Sequence, residues 1–312
     1  MVRRRFPTAC GASRLAGIPE PAKSAAPGGA LPRPLTSIGR FARPHRSAHA
    51  DGMCSDSRTS NVRAFCVGQA KSGTASLAGL LSGSYRVAHE PERAETLDLI
   101  LREARGQLSP AAVRAYLRAR DARLDLEYDV AWANQFLIDH LMAVFPDARF
   151  VVLIRDCHTW LQSITGHLVG RDVPDDVIAF LRWWFKPDRY PHGPHDRALA
   201  DRGVYSVAAY LHAWNRHVDA CTASIPAERR LVLRTHELDS SHQRLARFLR
   251  IPVGSLHRAG GNLNRGTWSE RIESFVDPAY LDAMIHSICG INMRRHFPEV
   301  RSFRDASGLW AG

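Results

Sequence analysis

Lys71 lies in the stretch "FCVGQAKSGTASLAGLL" (65–81), where a short apolar run enters a turn of small residues and leaves into a helix-like segment. A strand–turn–helix of this kind aims several backbone N–H groups, and the positive end of a helix, at one point, which suits an anion. Gly68 and Gly73 keep the G-x-x-x-x-G spacing of nucleoside-triphosphate loops. Thr74 and Ala75 then stand where such loops carry a lysine and a metal-binding hydroxyl. The lysine is instead at position 71, two residues before the second glycine. The chain has three lysines (Lys23, Lys71, Lys186) against 39 arginines, so a lysine inside the turn departs from the chain's own habit. A compact ammonium with a transferable proton suits stabilisation, or protonation, of a departing oxygen. The bland alternative is a glycine turn of the sort any α/β chain contains.

The elements that must position this turn follow from periodicity. A strand is predicted over 63–67 and a helix over 74–81, with a second strand in "YRVAHE" (85–90). Two amphipathic helices follow, about 92–105 and 110–122, the second opened by Ser109 and Pro110 as N-cap and first-turn proline. "LDLEYDV" (124–130) alternates as a strand, 134–145 reads as a helix, and "ARFVVLIRD" (148–156) is the strongest buried strand. A helix with Trp160, Leu161 and Ile164 comes next, then a polar, proline-broken loop over 185–202. A long helix over 204–224, a strand in "RLVLRTHEL" (230–238), helices at 243–249 and about 278–296, and a glycine-containing loop at 259–270 complete the reading. Strands alternating with helices call for an α/β fold: a central parallel sheet with helices on both faces. No internal repeat is present.

Composition narrows the function classes. Apolar residues make up 45% of the chain and charged residues 23%, as in an ordinary globular protein. No apolar run approaches the length of a transmembrane span. The net charge of +11 divides unevenly: residues 1–50 hold nine Lys/Arg against Glu20 alone, a net of +8, and the remainder holds 33 basic against 30 acidic residues, a net of +3. Specific nucleic-acid binding is therefore not expected of the folded part. Residues 1–57, rich in Arg, Pro and Ala, read as a disordered tail, leaving 58–312 as one domain. The tail could instead be an organelle transit peptide, or lie upstream of a start at Met53. Six scattered cysteines without a CxxC pair imply free thiols in a reducing, cytoplasmic setting rather than a disulfide framework or zinc site.

These residues resemble the sulfotransferases that use 3′-phosphoadenosine 5′-phosphosulfate (PAPS), a family with a P-loop-like nucleotide fold. The 5′-phosphosulfate loop of that family reads P-K-S-G-T-T-x-L, and this chain has "AKSGTASL". Its second element is a buried strand ending in Arg with Ser eight residues later; "FVVLIRDCHTWLQS" supplies Arg155 and Ser163, preceded by "FPDA" (145–148). The likeness extends over roughly 62–298. It implies PAPS as co-substrate, no metal, and sulfuryl transfer to a hydroxyl or amine on a small-molecule, carbohydrate or lipid acceptor. Lys71 would stabilise the leaving group, with Ser72, Gly73, Thr74 and Ser76 around the 5′-phosphate and Arg155 and Ser163 at the 3′-phosphate. A sulfuryl group carries less charge than a phosphoryl group, so loss of the metal-binding hydroxyl is expected. Ala70 and Ala75 depart from the family's proline and second threonine. "NRGTWSE" (264–270) partly echoes a third nucleotide element through Arg265 and Gly266; the alternative is an exposed loop arginine.

The resemblance also implies a base about twenty residues past the loop. His89 and Glu90 stand 18 and 19 residues past Lys71, at the end of a strand, and Glu90 is the better match. A capping role for either is the competing reading. His212 and His217, in the long helix with Trp214, read as packing or surface residues, and Cys157 as inert. Trp183, Trp184, Phe185, Tyr190, His192 and His195 crowd the loop before the long helix. The tryptophans read as core, and Phe185, Tyr190, His192 and His195 as candidates to line or cover an acceptor pocket. Two alternatives to a sulfotransferase stay open: a P-loop-type small-molecule or nucleoside kinase, which should carry Lys-Ser/Thr after Gly73, and a nucleotide-binding protein without activity.

Overall fold

The computed structural model describes residues 63–257 and 271–308. The tail reading for 1–57 and the loop with Arg265 and Gly266 lie outside the described residues. Five parallel strands form one sheet in the order β2-β3-β1-β4-β5, with β1 Ala64–Gly68, β2 Val87–His89, β3 Tyr128–Val130, β4 Arg149–Ile154 and β5 Arg230–Arg234. The helices are α1 Thr74–Leu81, α2 Arg93–Ala104, α3 Pro110–Leu124, α4 Ile138–Val144, α5 Cys157–Leu168 and α6 Asp175–Phe185. They continue with α7 Arg197–Asp201, α8 Val207–Ser224, α9 His242–Leu249, α10 Pro278–His296 and α11 Phe303–Gly308.

The apolar run of β4 is explained by burial on both faces. Phe150, Val152 and Ile154 point into one core cluster, while Val151 and Leu153 point into the other. The smaller cluster lies under α1 and α9, through Leu77, Leu80, Leu81, Leu245 and Leu249. The larger gathers α2, α5, α6, α8 and α10 over the opposite face. From β1 the chain moves to one edge of the sheet, and from β4 it moves to the other. Right-handed crossovers then place α1 and α5 on opposite faces, leaving a crevice at the carboxyl ends of β1 and β4.

Local chemistry sets the helix ends. Ser109 accepts from the Ala112 amide at 3.2 Å with Pro110 at the first position, and Ser206 caps α8 by accepting from the Ala209 amide. The strand read at 230–238 stops at Arg234, before a 3₁₀ turn over Thr235–Glu237, and the structure differs from the sequence reading in three further places. The strand read at 124–130 is confined to Tyr128–Val130, because α3 runs on to Leu124 and ends at Asp125 in a left-handed conformation. The helix read at 134–145 is split into a 3₁₀ turn, Trp132–Phe136, and α4. Trp183, Trp184 and Phe185 belong to α6 rather than to a loop, and residues 185–202 hold the 3₁₀ turn Pro194–Asp196 and α7.

Phe150 is fully buried, 5.9 Å from the Phe65 ring and under the Arg229 guanidinium. Phe150→Ala is expected to lower unfolding free energy by about 3–5 kcal/mol in urea titrations. A loss under about 1 kcal/mol would place that side chain outside the core.

Candidate active site

The loop after β1 is held by its carbonyls. Ser72 donates through both its hydroxyl, at 2.7 Å, and its amide, at 3.1 Å, to the Gln69 carbonyl. Trp160 Nε1 donates to the Ala70 carbonyl at 2.9 Å, and Arg155 Nη1 to the Lys71 carbonyl at 3.2 Å. Thr235 Oγ1 donates to the Ser72 carbonyl at 2.7 Å. Carbonyls from Gln69 to Ser72 are therefore all paired, by donors from the loop itself, α5, the end of β4 and the end of β5. The amides of the first turn of α1 have no intrahelical acceptor, and Gly73, Thr74, Ala75 and Ser76 all line the adjoining cavity.

Both glycines are required by this geometry. Gly73 has φ 95°, and a Cβ on it would lie 3.0 Å from Thr235 Cγ2. At Gly68 a Cβ would lie 2.6 Å from the Ser72 hydroxyl. Lys71 itself is left-handed, φ 73°, as are Glu90 at φ 52° and Glu92 at φ 49°. Such conformations cost an L-residue roughly 1 kcal/mol or more and gather at functional sites.

The cavity, about 660 Å³, brings together Lys71, Gly73, Thr74, Ser76, His89, Glu90, Arg155 and Ser163. Ser72 is the exception: it is buried, and its hydroxyl closes the turn on the Gln69 carbonyl. Ser163 is 1% exposed, and its Oγ has no hydrogen-bond partner among the described residues. A buried hydroxyl without a partner is costly unless something binds it. Arg155 is steadied by Nε donating to Thr159 Oγ1 at 3.0 Å, and Thr159 in turn donates to Asp156, the N-cap of α5. Burial lowers the Arg155 pKa to about 10. Burial, then Arg155 and Arg171, lowers the Lys71 ammonium below the ordinary lysine value, with Glu90 opposing.

The two candidate bases are distinguished by their neighbours. His89 Nε2 is 3.0 Å from Thr74 Oγ1, and its pKa is lowered by burial against the pull of Glu90. Glu90 is 3.7 Å from His89 Nε2 and 4.0 Å from Arg93 Nη1. Neither caps α2, whose N-cap is Glu92. Glu92 accepts from Tyr116 Oη and Arg123, while Arg120, paired with Asp129 at 2.5 Å, donates to the Pro91 carbonyl. The acid that organises the turn is thus Glu92, and Glu90 is left facing the cavity.

Several cavity residues escaped the sequence reading. His167 lies one helical turn past Ser163 and so shares its face, a signal the spacing did contain. Arg93, Arg171, Thr235 and His236 line the cavity as well, as do Trp132 and Trp184. Thr235 could be found only from the sheet order that sets β5 beside β4. Phe185, Tyr190, His192 and His195 do not line the cavity: Phe185 is buried against Trp184, Tyr190 stacks on His212, His192 bonds the Val204 carbonyl, and His195 stacks on Tyr280. Cys157 is buried and its thiol pKa is raised by burial. His217 is buried too, its pKa lowered by burial to about 4. Among the described residues no group of three or more His, Cys, Asp or Glu side chains could hold a metal ion, and no helix is long and apolar enough to cross a membrane.

The sulfotransferase domain family matches residues 63–258, more than half of the chain. This protein belongs to that family. No match is found among curated proteins. The chain is similar to a solved sulfotransferase from Alicyclobacillus acidocaldarius, at 18% identity over 72% of this chain and 96% of that one, with a TM-score of 0.41. It is also similar to the sulfotransferase domain of the Synechococcus PCC 7002 olefin synthase, at 17% identity over 83% and 97%, TM-score 0.34. A third similarity is to the sulfotransferase domain from the curacin biosynthetic pathway, at 10% over 80% and 96%, TM-score 0.35.

His167 gives this site a titration signature. Burial, then Lys71 and Arg171, lowers its pKa from 6.5 to about 4. The unfolded chain therefore takes up a proton at this residue that the native protein refuses, and stability is lost as pH falls from about 6.5 towards 4. The His167 imidazole is expected to titrate near pH 4 by NMR; a midpoint near 6.5 would show a solvated ring away from Lys71.

Proposed function

We propose that this protein transfers a sulfuryl group from PAPS to a hydroxyl or amine acceptor, with Lys71 and Arg155 serving opposite ends of one adenosine bisphosphate. The observation that carries this reading is that both residues line one cavity, joined by the bond from Arg155 Nη1 to the Lys71 carbonyl. The unpartnered Ser163 hydroxyl and the Arg155 guanidinium fit a phosphate dianion. The amide-lined first turn of α1 fits a second anionic group. When bound, PAPS supplies the activated sulfuryl group and a phosphate leaving group.

The chain's own residues then have separable roles. Glu90 accepts the proton of the acceptor as its oxygen or nitrogen bonds to sulfur. Lys71 holds its charge against the bridging oxygen that keeps the electron pair of the broken S–O bond. Its lowered pKa makes that ammonium a better proton donor than an exposed lysine. His89, bonded to Thr74, orients the first turn of α1. A kinase built on this loop would need a lysine and a hydroxyl after Gly73, where Thr74 and Ala75 stand.

Mass spectrometry of acceptors incubated with PAPS and the purified chain tests the reading, with a gain of one sulfuryl group expected in EDTA. A transfer that needs ATP and Mg²⁺ instead would favour the kinase. Lys71→Ala should lower turnover by about 10²–10³ while adenosine 3′,5′-bisphosphate affinity changes far less. Arg155→Ala should do the reverse, weakening bisphosphate binding by about 10–100-fold first. Unchanged turnover in Lys71→Ala would remove that residue from the chemistry. Glu90→Gln should cost more turnover than His89→Gln, and the opposite order would exchange their roles.

A further inference from the structure

The cavity changes character along its length. Its Lys71–Arg155–Ser163 end is polar, while the end towards α6 is walled by Leu97 of α2, Trp132 after β3, Leu168 of α5, and Val177, Leu181 and Trp184 of α6. The indoles of Trp132 and Trp184 are stacked with ring centroids 5.4 Å apart, and Phe180 meets Trp132 edge-on at 5.3 Å. This wall is drawn from four separate segments and braced from behind by aromatic contacts, so it is a preformed surface. It offers a ligand no charged or hydroxyl side chain from α6. The charged and titratable residues of the cavity, among them Glu90, Arg93, His167 and Arg171, belong to other elements.

Resting on the sulfuryl-transfer reading, we propose that the acceptor is an amphiphilic alcohol or phenol, with an apolar ring system or alkyl chain against Trp132, Leu181 and Trp184. Its hydroxyl then lies at the Glu90 and Lys71 end. A carbohydrate placed on this wall would strand ring hydroxyls against apolar carbon, and each unpaired polar group is penalised. An apolar body instead leaves water for a wall that is already largely dry.

Calorimetric titration of the full chain with 2-naphthol, 1-decanol and N-acetylglucosamine tests this. At least one apolar probe should bind 100-fold or more tightly than the sugar. Val177 is partly exposed, so Val177→Asp should keep the fold while weakening the apolar probe at least tenfold, with adenosine 3′,5′-bisphosphate affinity within twofold of wild type. Should that variant melt early, the wild-type tryptophan emission still reports: 1-decanol should shift it saturably and the sugar should not. Sugar binding as tight as that of both apolar probes, or no binding of either apolar probe together with an emission unaltered by decanol, overturns the proposal. If the apolar probe binds and the bisphosphate does not, the apolar pocket stands and the donor reading falls.

Discussion

The site depends on where four consecutive peptide carbonyls point. From Gln69 to Ser72 each carbonyl meets a donor inside the protein. A peptide plane fixed at its oxygen end has its direction fixed, so the turn is delivered to α1 with little freedom left. Beyond Ser72 in the loop itself, the donors come from α5, from the tip of β4 and from the tip of β5, so the loop is held because the sheet brings those three together. Trp160 and Arg155 are bound in turn, Trp160 within the core and Arg155 through Thr159 and Asp156. Sheet order, core packing and the cavity-facing backbone are thus one arrangement.

Charge inside the cavity follows from that rigidity. Burial, then Arg155 and Arg171, lowers the pKa of Lys71, and burial, then Lys71 and Arg171, lowers that of His167. Cations gathered in a partly buried space draw an anion into it. Glu90 is the acidic counterweight close to Lys71, and its left-handed backbone holds it at the strand end rather than in a helix cap. The same cavity turns apolar towards α6, which separates a place for charge from a place for carbon.

Much of this was legible in the sequence because the signals were local. The turn between Gly68 and Gly73, the helix starting at Thr74, the Ser109–Pro110 cap and the run of β4 are each set by neighbouring residues. The pairing of Lys71 with Arg155 was legible through two motifs about eighty residues apart. Long-range geometry was not. That Ser72 would turn its hydroxyl inward depends on the close approach of Gly68, and that Thr235 would hold the loop depends on β5 lying beside β4. Tyr190 and the histidines after it carry polar tips that suggest a pocket, yet Tyr190 and His195 stack on rings and His192 bonds a carbonyl elsewhere. α6 was missed because its apolar face runs directly into a proline-rich segment.

The most direct measurement is of the loop amides. In ¹⁵N-labelled protein titrated with adenosine 3′,5′-bisphosphate, the Gly73, Thr74, Ala75 and Ser76 resonances should move together with Arg155 and Ser163 and saturate at one dissociation constant. Shifts confined to other surfaces, with these six unmoved at saturation, would contradict a cradle built from inward-tied carbonyls.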